Sequence, residues 1–323
     1  MTTVAVAGTL APKVSVIVPA YGVAHLLGDA LSSLQAQRRQ DWEAIVVDDG
    51  APDDVGAAFA PFASDARFRL LRTDNRGLAT ARNRAIAASS AALVSLLDGD
   101  DVYEPDYLER MIPAIEADDK LGFVTCDAIF FGESPRVGER YSTRHPITGP
   151  ISLERVLNRD VNIFVASIIR RSALDQVGGF DGEFRAAEDL DLWIRLLEAG
   201  WHGDTVFEPL VRYRRRPESL SADARQMLLA CCSVYDKAVA RMDERPERAT
   251  AHCMLLACQD ELRWFEGEKL ILAGDLVAGL PLLAGAERRS PRWRMALAMM
   301  QTFPGLSGYL LRARTRLPAP RRR

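Results

Sequence analysis

Short apolar runs alternate with amphipathic stretches through the first hundred residues, and this alternation limits the possible folds more than any other feature of the chain. Val14-Ser15-Val16-Ile17-Val18-Pro19 is almost wholly apolar, as a strand buried on both faces requires. Pro19 cannot donate to a ladder and ends it. Tyr21-Gly22 supplies a turn, after which Leu26, Leu27, Ala30, Leu31 and Leu34 recur at helical spacing. A second strand, Trp42 to Val47, ends in Asp48-Asp49-Gly50, and a helix is expected over about Asp53 to Phe62. Phe68 to Leu71 reads as a third strand. Ala79 to Ala92 reads as a helix leading into a fourth, Leu93 to Leu97. Strands separated by helices of this length make βαβ units on a parallel sheet. Such sheets bind ligands beyond the carboxyl ends of their strands. Pro19-Ala20-Tyr21, Asp48-Asp49 and Asp98 to Asp101 all fall at such ends, so they can meet in one crevice.

The fourth strand closes in Asp98-Gly99-Asp100-Asp101. Three carboxylates in four residues repel one another unless a cation neutralises them, and Mg²⁺ characteristically shares one or two carboxylates with substrate phosphates. The competing reading is a turn that caps the next helix. Asp101 fits that capping place best, ahead of a helix that Glu104-Pro105 would open.

Further along, a helix to Ala117 and a strand from Gly122 to Phe131 precede Glu133 to Pro150, which is rich in Gly, Pro, Ser and Arg without periodicity and reads as a loop. Asn162 to Arg170 is expected to be another strand, and Val177-Gly178-Gly179-Phe180-Asp181 a tight turn. In Glu188-Asp189-Leu190-Asp191-Leu192-Trp193 the acids project from the first turn of a helix whose apolar face is Leu190, Trp193, Ile194 and Leu197. Acids there suit the helix dipole; a carboxylate held at a helix start can also serve as a general base.

VSVIVPAYG, IVVDDG, the segment from Asn75 to Asn83 (NRGLATARN), LLDGDD and AEDLDLW together resemble the ordered signature of family-2 glycosyltransferases. The likeness covers roughly residues 13–221. It implies an α/β fold of GT-A type, a mostly parallel sheet flanked by helices, and inverting transfer of sugar from a nucleotide sugar with Mg²⁺ or Mn²⁺. Carried over residue by residue, it implies that Pro19, Ala20 and Tyr21 meet the nucleotide base and that Asp49 accepts from it, as a carboxylate can from a uracil N–H. Arg82 lines the nucleotide pocket in this reading, and Asn83 closes a side-chain network beside it. Asp98 touches ribose or metal, and Asp100 ligates the metal that bridges the two phosphates. Asp189 is the expected base, with Glu188 in reserve and Asp191 structural. Tyr213 to Ser221 resembles the loop that closes over the diphosphate. Arg216 stands where the family often has His, and its guanidinium can pair with phosphate bidentately. The loop from Glu133 to Pro150 falls where the acceptor would bind and is expected to be a flexible specificity loop.

Two other readings compete. A sugar nucleotidyltransferase shares the general sheet, but its Gly-rich, basic loop after the first strand has no counterpart in PAYGVAHLLG. A non-catalytic nucleotide-sugar-binding scaffold would use the C-terminal part to recruit partners.

Three parts are expected: a flexible N-terminus (1–12), the catalytic module (13–221) and an all-helical C-terminal region (222–323). In the last, Met227 to Met242 and Ala249 to Phe265 are expected helices and Leu270 to Gly285 a packed hairpin. From Arg288 onward there are ten arginines and no acid; removing those charges from the net −3 leaves −13 on residues 1–287. A basic end on an acidic body points to an anionic partner. Trp293 to Leu317 mixes aromatic and aliphatic residues with arginine, which fits either a helix lying on an anionic membrane or a docked C-terminal helix. No nucleic-acid-binding module is recognisable. Five cysteines without paired CxxC spacing read as buried free thiols of a reducing compartment. No signal peptide or uninterrupted spanning segment is legible. The expected location is therefore the cytoplasm, or the inner face of the cytoplasmic membrane, with a nucleotide-sugar donor and a glycan or lipid-linked acceptor as partners.

Overall fold

The computed structural model describes residues 11–285 and 291–315. The chain divides after Ala222 into two compact units. In the first, β1 (Val14–Ala20), α1 (Ala24–Gln35), β2 (Trp42–Asp48), α2 (Val55–Phe59), β3 (Phe68–Arg72), α3 (Leu78–Ala88) and β4 (Leu93–Leu96) alternate as expected. There follow β5 (Val102–Tyr103), α4 (Tyr107–Glu116), β6 (Leu121–Gly132), α5 (Leu153–Leu157) and β7 (Ile168–Arg170). The unit ends with α6 (Arg171–Val177), α7 (Glu188–Glu198) and β8 (His202–Arg215).

The eight strands form one mixed sheet in the order β3-β2-β1-β4-β7-β6-β8-β5. The β3-β2-β1-β4 half is parallel, with Ala20 opposite Asp48 and Ile17 opposite Leu96. The loops after β1, β2 and β4 therefore leave the sheet at one edge. In the other half β7 runs antiparallel to both β4 and β6, whereas β8 is parallel to β6. β5 is antiparallel to β8 with Val102 opposite Arg212, so the acids just before β5 run alongside the end of β8. Val14, Val16 and Val18 of β1 pack with Leu27, Leu31 and Leu34 of α1 in a core that also takes in Tyr107, Met111, Ile112 and Ile115 of α4. Each such aliphatic side chain contributes roughly 1.5–3 kcal/mol on burial.

Several local expectations change. Asn162 to Ser167 is not strand: the Phe164 carbonyl accepts from Thr125 Oγ1 (2.9 Å) and Ser167 Oγ (2.6 Å), so side chains occupy what a ladder would need, and only Ile168–Arg170 pairs. α3 stops at Ala88, where Ser89 turns extended and its hydroxyl donates to Ile86 O. Tyr213 to Arg215 belong to β8, so the irregular segment begins only at Arg216. The stretch from Glu133 to Pro150 is anchored: it carries a 3₁₀ turn, Tyr141–Thr143, which the buried Asp127 holds by accepting from Ser142 N (3.0 Å) and Ser142 Oγ (2.7 Å).

The second unit is helical: α8 (Ala224–Arg241), α9 (Arg248–Leu272), α10 (Leu276–Ala284), α11 (Pro291–Thr302) and α12 (Ser307–Thr315). Leu270 to Gly285, expected to be a packed hairpin by itself, holds only the end of α9, a turn and α10; the expected helix Ala249 to Phe265 lies within α9, which is the other arm of the hairpin. Gly274 turns at φ +97°, and Asp275 caps α10 by accepting from Ala278 N at 3.0 Å. Gly267 and Gly279 let the two backbones touch, since a Cβ on either would lie about 3 Å from the other's carbonyl oxygen. Leu297, Met300 and Leu311 of α11 and α12 join Trp264, Ile271 and Leu283 in one buried cluster. Trp293 to Thr315 is thus docked helix, with Met295, Phe303 and Tyr309 left exposed. Residues 1–10, 286–290 and the arginine-rich end from Arg316 lie outside the described residues. Among those described, no helix is long and apolar enough to cross a membrane. All five cysteines are free; Cys126 and Cys231 are buried, but Cys253 is exposed, against the expectation of burial throughout.

Candidate active site

The site is organised around Arg82. Its helix, α3, turns Ala79, Ala81 and Ala85 toward the core, and these small side chains leave room for a guanidinium beneath the helix. Arg82 is 1% exposed. Its Nη2 donates to Asp98 Oδ1 at 2.7 Å and its Nη1 to Glu188 Oε1 at 2.5 Å. The guanidinium carbon lies 5.3 Å from the centre of the Phe180 ring. Asn83, next in sequence, clamps Phe180 in place: it donates to Phe180 O (2.7 Å) and accepts from Phe180 N (2.9 Å). Gly179 fits this clamp because its φ is +70° and any Cβ would sit 2.7 Å from Asn83 Oδ1. Asn83 thus seats the tight turn under Arg82 by binding its backbone, where a side-chain network was expected.

At the end of β4, Gly99 passes so close to β1 that a Cβ would lie 2.8 Å from Pro19 O. That approach brings Asp98 and Asp100 to the exit of β1, beside the buried Pro19 and Ala20 and the exposed Tyr21. Arg216 donates from Nε to Asp100 Oδ2 at 2.9 Å, so it is a paired residue rather than a solvated basic turn. Burial pushes the Asp100 carboxyl above its usual range and the charge of Asp98 adds to this, while Arg216 opposes it. Asp101 does not cap α4. Its Oδ1 accepts from Arg214 N at 2.8 Å, because the β5–β8 register sets it beside that strand. Arg214 also donates to Asp100 O (2.7 Å) and pairs with Asp29 (2.6 Å).

Asp49 is buried at the end of β2, where its two oxygens accept from Thr73 Oγ1 (3.1 Å), Arg76 N (3.3 Å) and Gly77 N (2.9 Å). It shapes the turn leading into α3. Asp54 caps α2, but Asp53 reaches back to accept from Gly22 N (3.1 Å) and Ala24 N (2.6 Å), capping α1, whose own Val23 has no capping side chain.

Glu188 and Asp189 open α7 directly after Ala187, a non-glycine residue at φ 56°, ψ 22°. Burial pushes the Glu188 carboxyl up to about 7, with Arg82 opposing and Asp189 adding to the rise. Burial also raises Asp189, against the pull of Arg82. Asp189 Oδ1 accepts from Leu190 N at 2.8 Å. Asp191 is fully buried and accepts from Arg195 Nε at 2.7 Å, the structural part expected of it.

Asp98, Asp100, Glu188, Asp189, Arg82 and Arg216 thus gather at one end of the sheet. Arg214, Thr73 and the β5 pairing were not foreseen: each acts through pairing register or a long-range contact, which local sequence does not carry. Among the described residues no group of three or more His, Cys, Asp or Glu side chains could hold a metal ion. The donor set at the end of β4 is a carboxylate pair, which suits a cation that completes its shell with phosphate oxygens and water.

The family model for "Glycosyl transferase family 2" matches residues 15–178, just over half of the chain and the part that carries β1 to β7. The chain belongs to this family. Among curated relatives, the succinoglycan biosynthesis protein ExoO of Rhizobium meliloti (strain 1021) is 35% identical over 215 residues, 62% of this chain and 60% of ExoO. The chain therefore spans less than two thirds of that relative's length. Two solved structures share the fold. S. aureus TarS 1–349, solved with UDP-GlcNAc, has a TM-score of 0.63 at 17% identity, covering 93% of this chain and 87% of TarS. The mannosyltransferase PcManGT of Pyrobaculum calidifontis, solved with GDP-Man and Mn²⁺, has a TM-score of 0.61 at 20% identity, covering 95% and 87%. The mixed sheet flanked by helices is accordingly a GT-A-type core.

Proposed function

We propose that this family-2 chain is a metal-dependent, inverting glycosyltransferase that moves a sugar from a nucleotide sugar, a UDP-sugar, to a glycan or lipid-linked acceptor in bacterial surface polysaccharide synthesis. One observation carries the reading: Arg82 joins Asp98, on the donor side, to Glu188, on the helix that bears the base. The acids of the two halves of the reaction are thereby held in one network. The neighbours' complexes with UDP-GlcNAc and with GDP-Man support a nucleotide-sugar donor, and the name of ExoO supports the polysaccharide setting. The base of the nucleotide is read from Asp49 and the exposed Tyr21, beside Pro19 and Ala20.

Asp98 and Asp100 would hold Mg²⁺ or Mn²⁺; when bound, it supplies Lewis-acid stabilisation to the departing diphosphate, worth several kcal/mol. Arg216, now on Asp100, can transfer its fork to phosphate oxygens. Asp189 takes the acceptor's proton. Glu188 is committed to Arg82, whereas Asp189 Oδ2 has no hydrogen-bond donor among the described residues and stays open to an acceptor hydroxyl. Burial raises Asp189 and makes it a stronger base than a solvated carboxylate. The helices α11 and α12, with the basic end beyond them, are read as the part that meets an anionic membrane surface at the cytoplasmic side.

The test is a nucleotide-sugar screen with and without Mn²⁺, reading released nucleoside diphosphate and the product's anomeric configuration. Asp189→Asn should lower transfer by roughly 10²–10⁴-fold with UDP binding retained, and Asp100→Asn should also weaken metal-dependent UDP binding. Full transfer in either variant would overturn that residue's role, and a retained anomeric configuration would overturn the inverting mechanism.

A further inference from the structure

Arginines hold all three acids of the turn after β4, but the three holds differ in how readily they can be released. Arg82, bound to Asp98, is buried and also tied to Glu188; Arg214 meets Asp101 through its backbone amide, inside the β5–β8 edge. Releasing either would break a buried network or a strand pairing. Arg216 has no such ties. It lies one residue beyond β8 with its side chain 17% exposed, and its Nε and Nη2 are both 2.9 Å from Asp100 Oδ2. Two nitrogens thus converge on one oxygen of a carboxylate proposed to bind the cation. Behind Arg216 the chain turns back on itself, with Ser219 N donating to Arg216 O at 3.2 Å. This arrangement leaves the Ser219 hydroxyl buried with no hydrogen-bond partner among the described residues. A buried hydroxyl without a partner costs free energy that another arrangement of the segment could recover. The Arg216 side chain is therefore held by one ion pair among the described residues, on a segment that gains by rearranging.

We propose that Arg216 is a built-in counter-cation: it occupies the divalent cation's place on Asp100 while no donor is bound, and so makes cation binding conditional on the nucleoside diphosphate. The charges set the coupling. In the empty site Asp98 and Asp100 are already balanced by Arg82 and Arg216. A dication arriving alone must therefore displace Arg216 and leave its guanidinium unpaired close by, where like charges repel. A diphosphate removes that penalty, because its oxygens take the released guanidinium as a fork and also serve as ligands for the cation. Arg216 thus opposes the cation in the empty site and favours it in the loaded one. A ligand shifts such a two-state arm only by the difference in its affinity for the two states, and here the diphosphate supplies that difference. By linkage, the cation strengthens diphosphate binding by the same factor. The proposal rests on the metal-dependent reading and deepens it by naming the residue that controls entry to the cation site.

The experiment measures Mn²⁺ binding to the intact chain from the electron paramagnetic resonance signal of free Mn²⁺, without and with UDP, against a blank of UDP alone. In the unaltered protein UDP should tighten Mn²⁺ binding by about tenfold or more. Arg216→Met should tighten Mn²⁺ binding to the empty site by about tenfold and weaken it when UDP is present, so that the coupling shrinks from both ends. Arg216→Gln, which keeps a polar side chain, should do the same and serves in its place if circular dichroism shows the Met variant unfolded. Arg212→Gln is the control for a charge effect at a distance: its guanidinium stacks on Phe131 at 4.6 Å and makes no hydrogen bond to Asp98 or Asp100. It should move either affinity by less than about twofold at physiological salt. An unchanged empty-site affinity in the folded Arg216 variants, or an equal rise in Arg212→Gln, would overturn the counter-cation and leave the metal-dependent reading in place. Absence of Mn²⁺ binding by the unaltered protein even with UDP would overturn the metal-dependent reading, and the counter-cation with it.

Discussion

Replacing Arg82 by Met tests whether the bridge between the two carboxylates holds the site together. The two arms are unequal. Arg82 and Glu188 are almost wholly buried, with side chains 1% and 5% exposed, whereas Asp98 is 27% exposed. Water can replace the guanidinium at Asp98, so that arm contributes little to the loss. Glu188 has no such recourse. Stranding a buried charge by removing its partner costs about 3–5 kcal/mol. Glu188 can escape part of this by taking up a proton, because burial already lifts its carboxyl to about 7. The cost of protonation grows by about 1.4 kcal/mol per pH unit above the pKa.

The loss in Arg82→Met should therefore be about 3–5 kcal/mol at pH 8 and clearly smaller at pH 5.5, where the stranded acid is neutral. Glu188→Gln should cost about 1–3 kcal/mol, since Arg82 keeps Asp98. Arg82→Met with Glu188→Leu should fall short of the sum of the two single losses by roughly 1–3 kcal/mol. Because the chain has two compact units, hydrogen-exchange mass spectrometry of the β1, α3 and α7 amides is the suitable measurement; it reads the first unit by itself. A loss under about 1 kcal/mol at both pH values, or one that does not change with pH, would refute this reasoning.

In the unaltered protein, Glu188 holds its proton in the folded state at pH values where the unfolded chain has lost it. Its contribution to stability therefore falls as pH rises from about 4.5 toward 7, and Glu188→Gln should flatten that part of a pH–urea profile; an unchanged slope would contradict the assignment. Ala187→Gly should stabilise the protein by about 1 kcal/mol by relieving the left-handed backbone ahead of α7, read as a shift in thermal midpoint. Gly99→Ala should destabilise by roughly 1–3 kcal/mol and weaken UDP binding in calorimetry, because the new methyl meets the rigid Pro19 carbonyl and must displace the Asp98–Asp100 turn. A variant that binds UDP normally would show that the close approach has no bearing on the site.

The parallel half of the fold was legible because its pattern is local. β1, β2 and β4 are near-continuous apolar runs, so the strands and the neighbourhood of their functional ends could be read from neighbouring residues, although β1 runs through Pro19, expected to end it, to Ala20. The other half depends on pairings between distant segments. Val102-Tyr103 is too short to announce itself as a strand and becomes one only because β8 arrives to pair with it. That pairing turns Asp101 toward Arg214 instead of a helix end, and it keeps Tyr213 to Arg215 in the sheet. Asn162 to Ser167 failed for the opposite reason: an apolar run was present, but the Phe164 carbonyl was taken by two hydroxyls.

The candidate site divides along the same line. Residue types at motif positions indicated which acids to watch, yet nothing local distinguishes a buried Arg82 from an exposed helix arginine. What decides it is the run of alanines that lets α3 lie close, together with two carboxylates supplied 16 and 106 residues away. Arginine is used in one way throughout this site. Arg82 ties Asp98 to Glu188, Arg216 covers Asp100, and Arg214 binds the backbone of Asp100 while its own amide holds Asp101. Each acid at the end of β4 thus meets an arginine from another part of the chain, Asp98 from the preceding helix α3 and Asp100 and Asp101 from the end of β8 and the residue after it. With these contacts the fold can assemble a cluster of carboxylates that would otherwise repel one another. Asp100 keeps a share of that repulsion, seen in the upward push on its carboxyl, and its partner Arg216 sits at the end of β8, where the chain leaves the sheet and the pair is easiest to open.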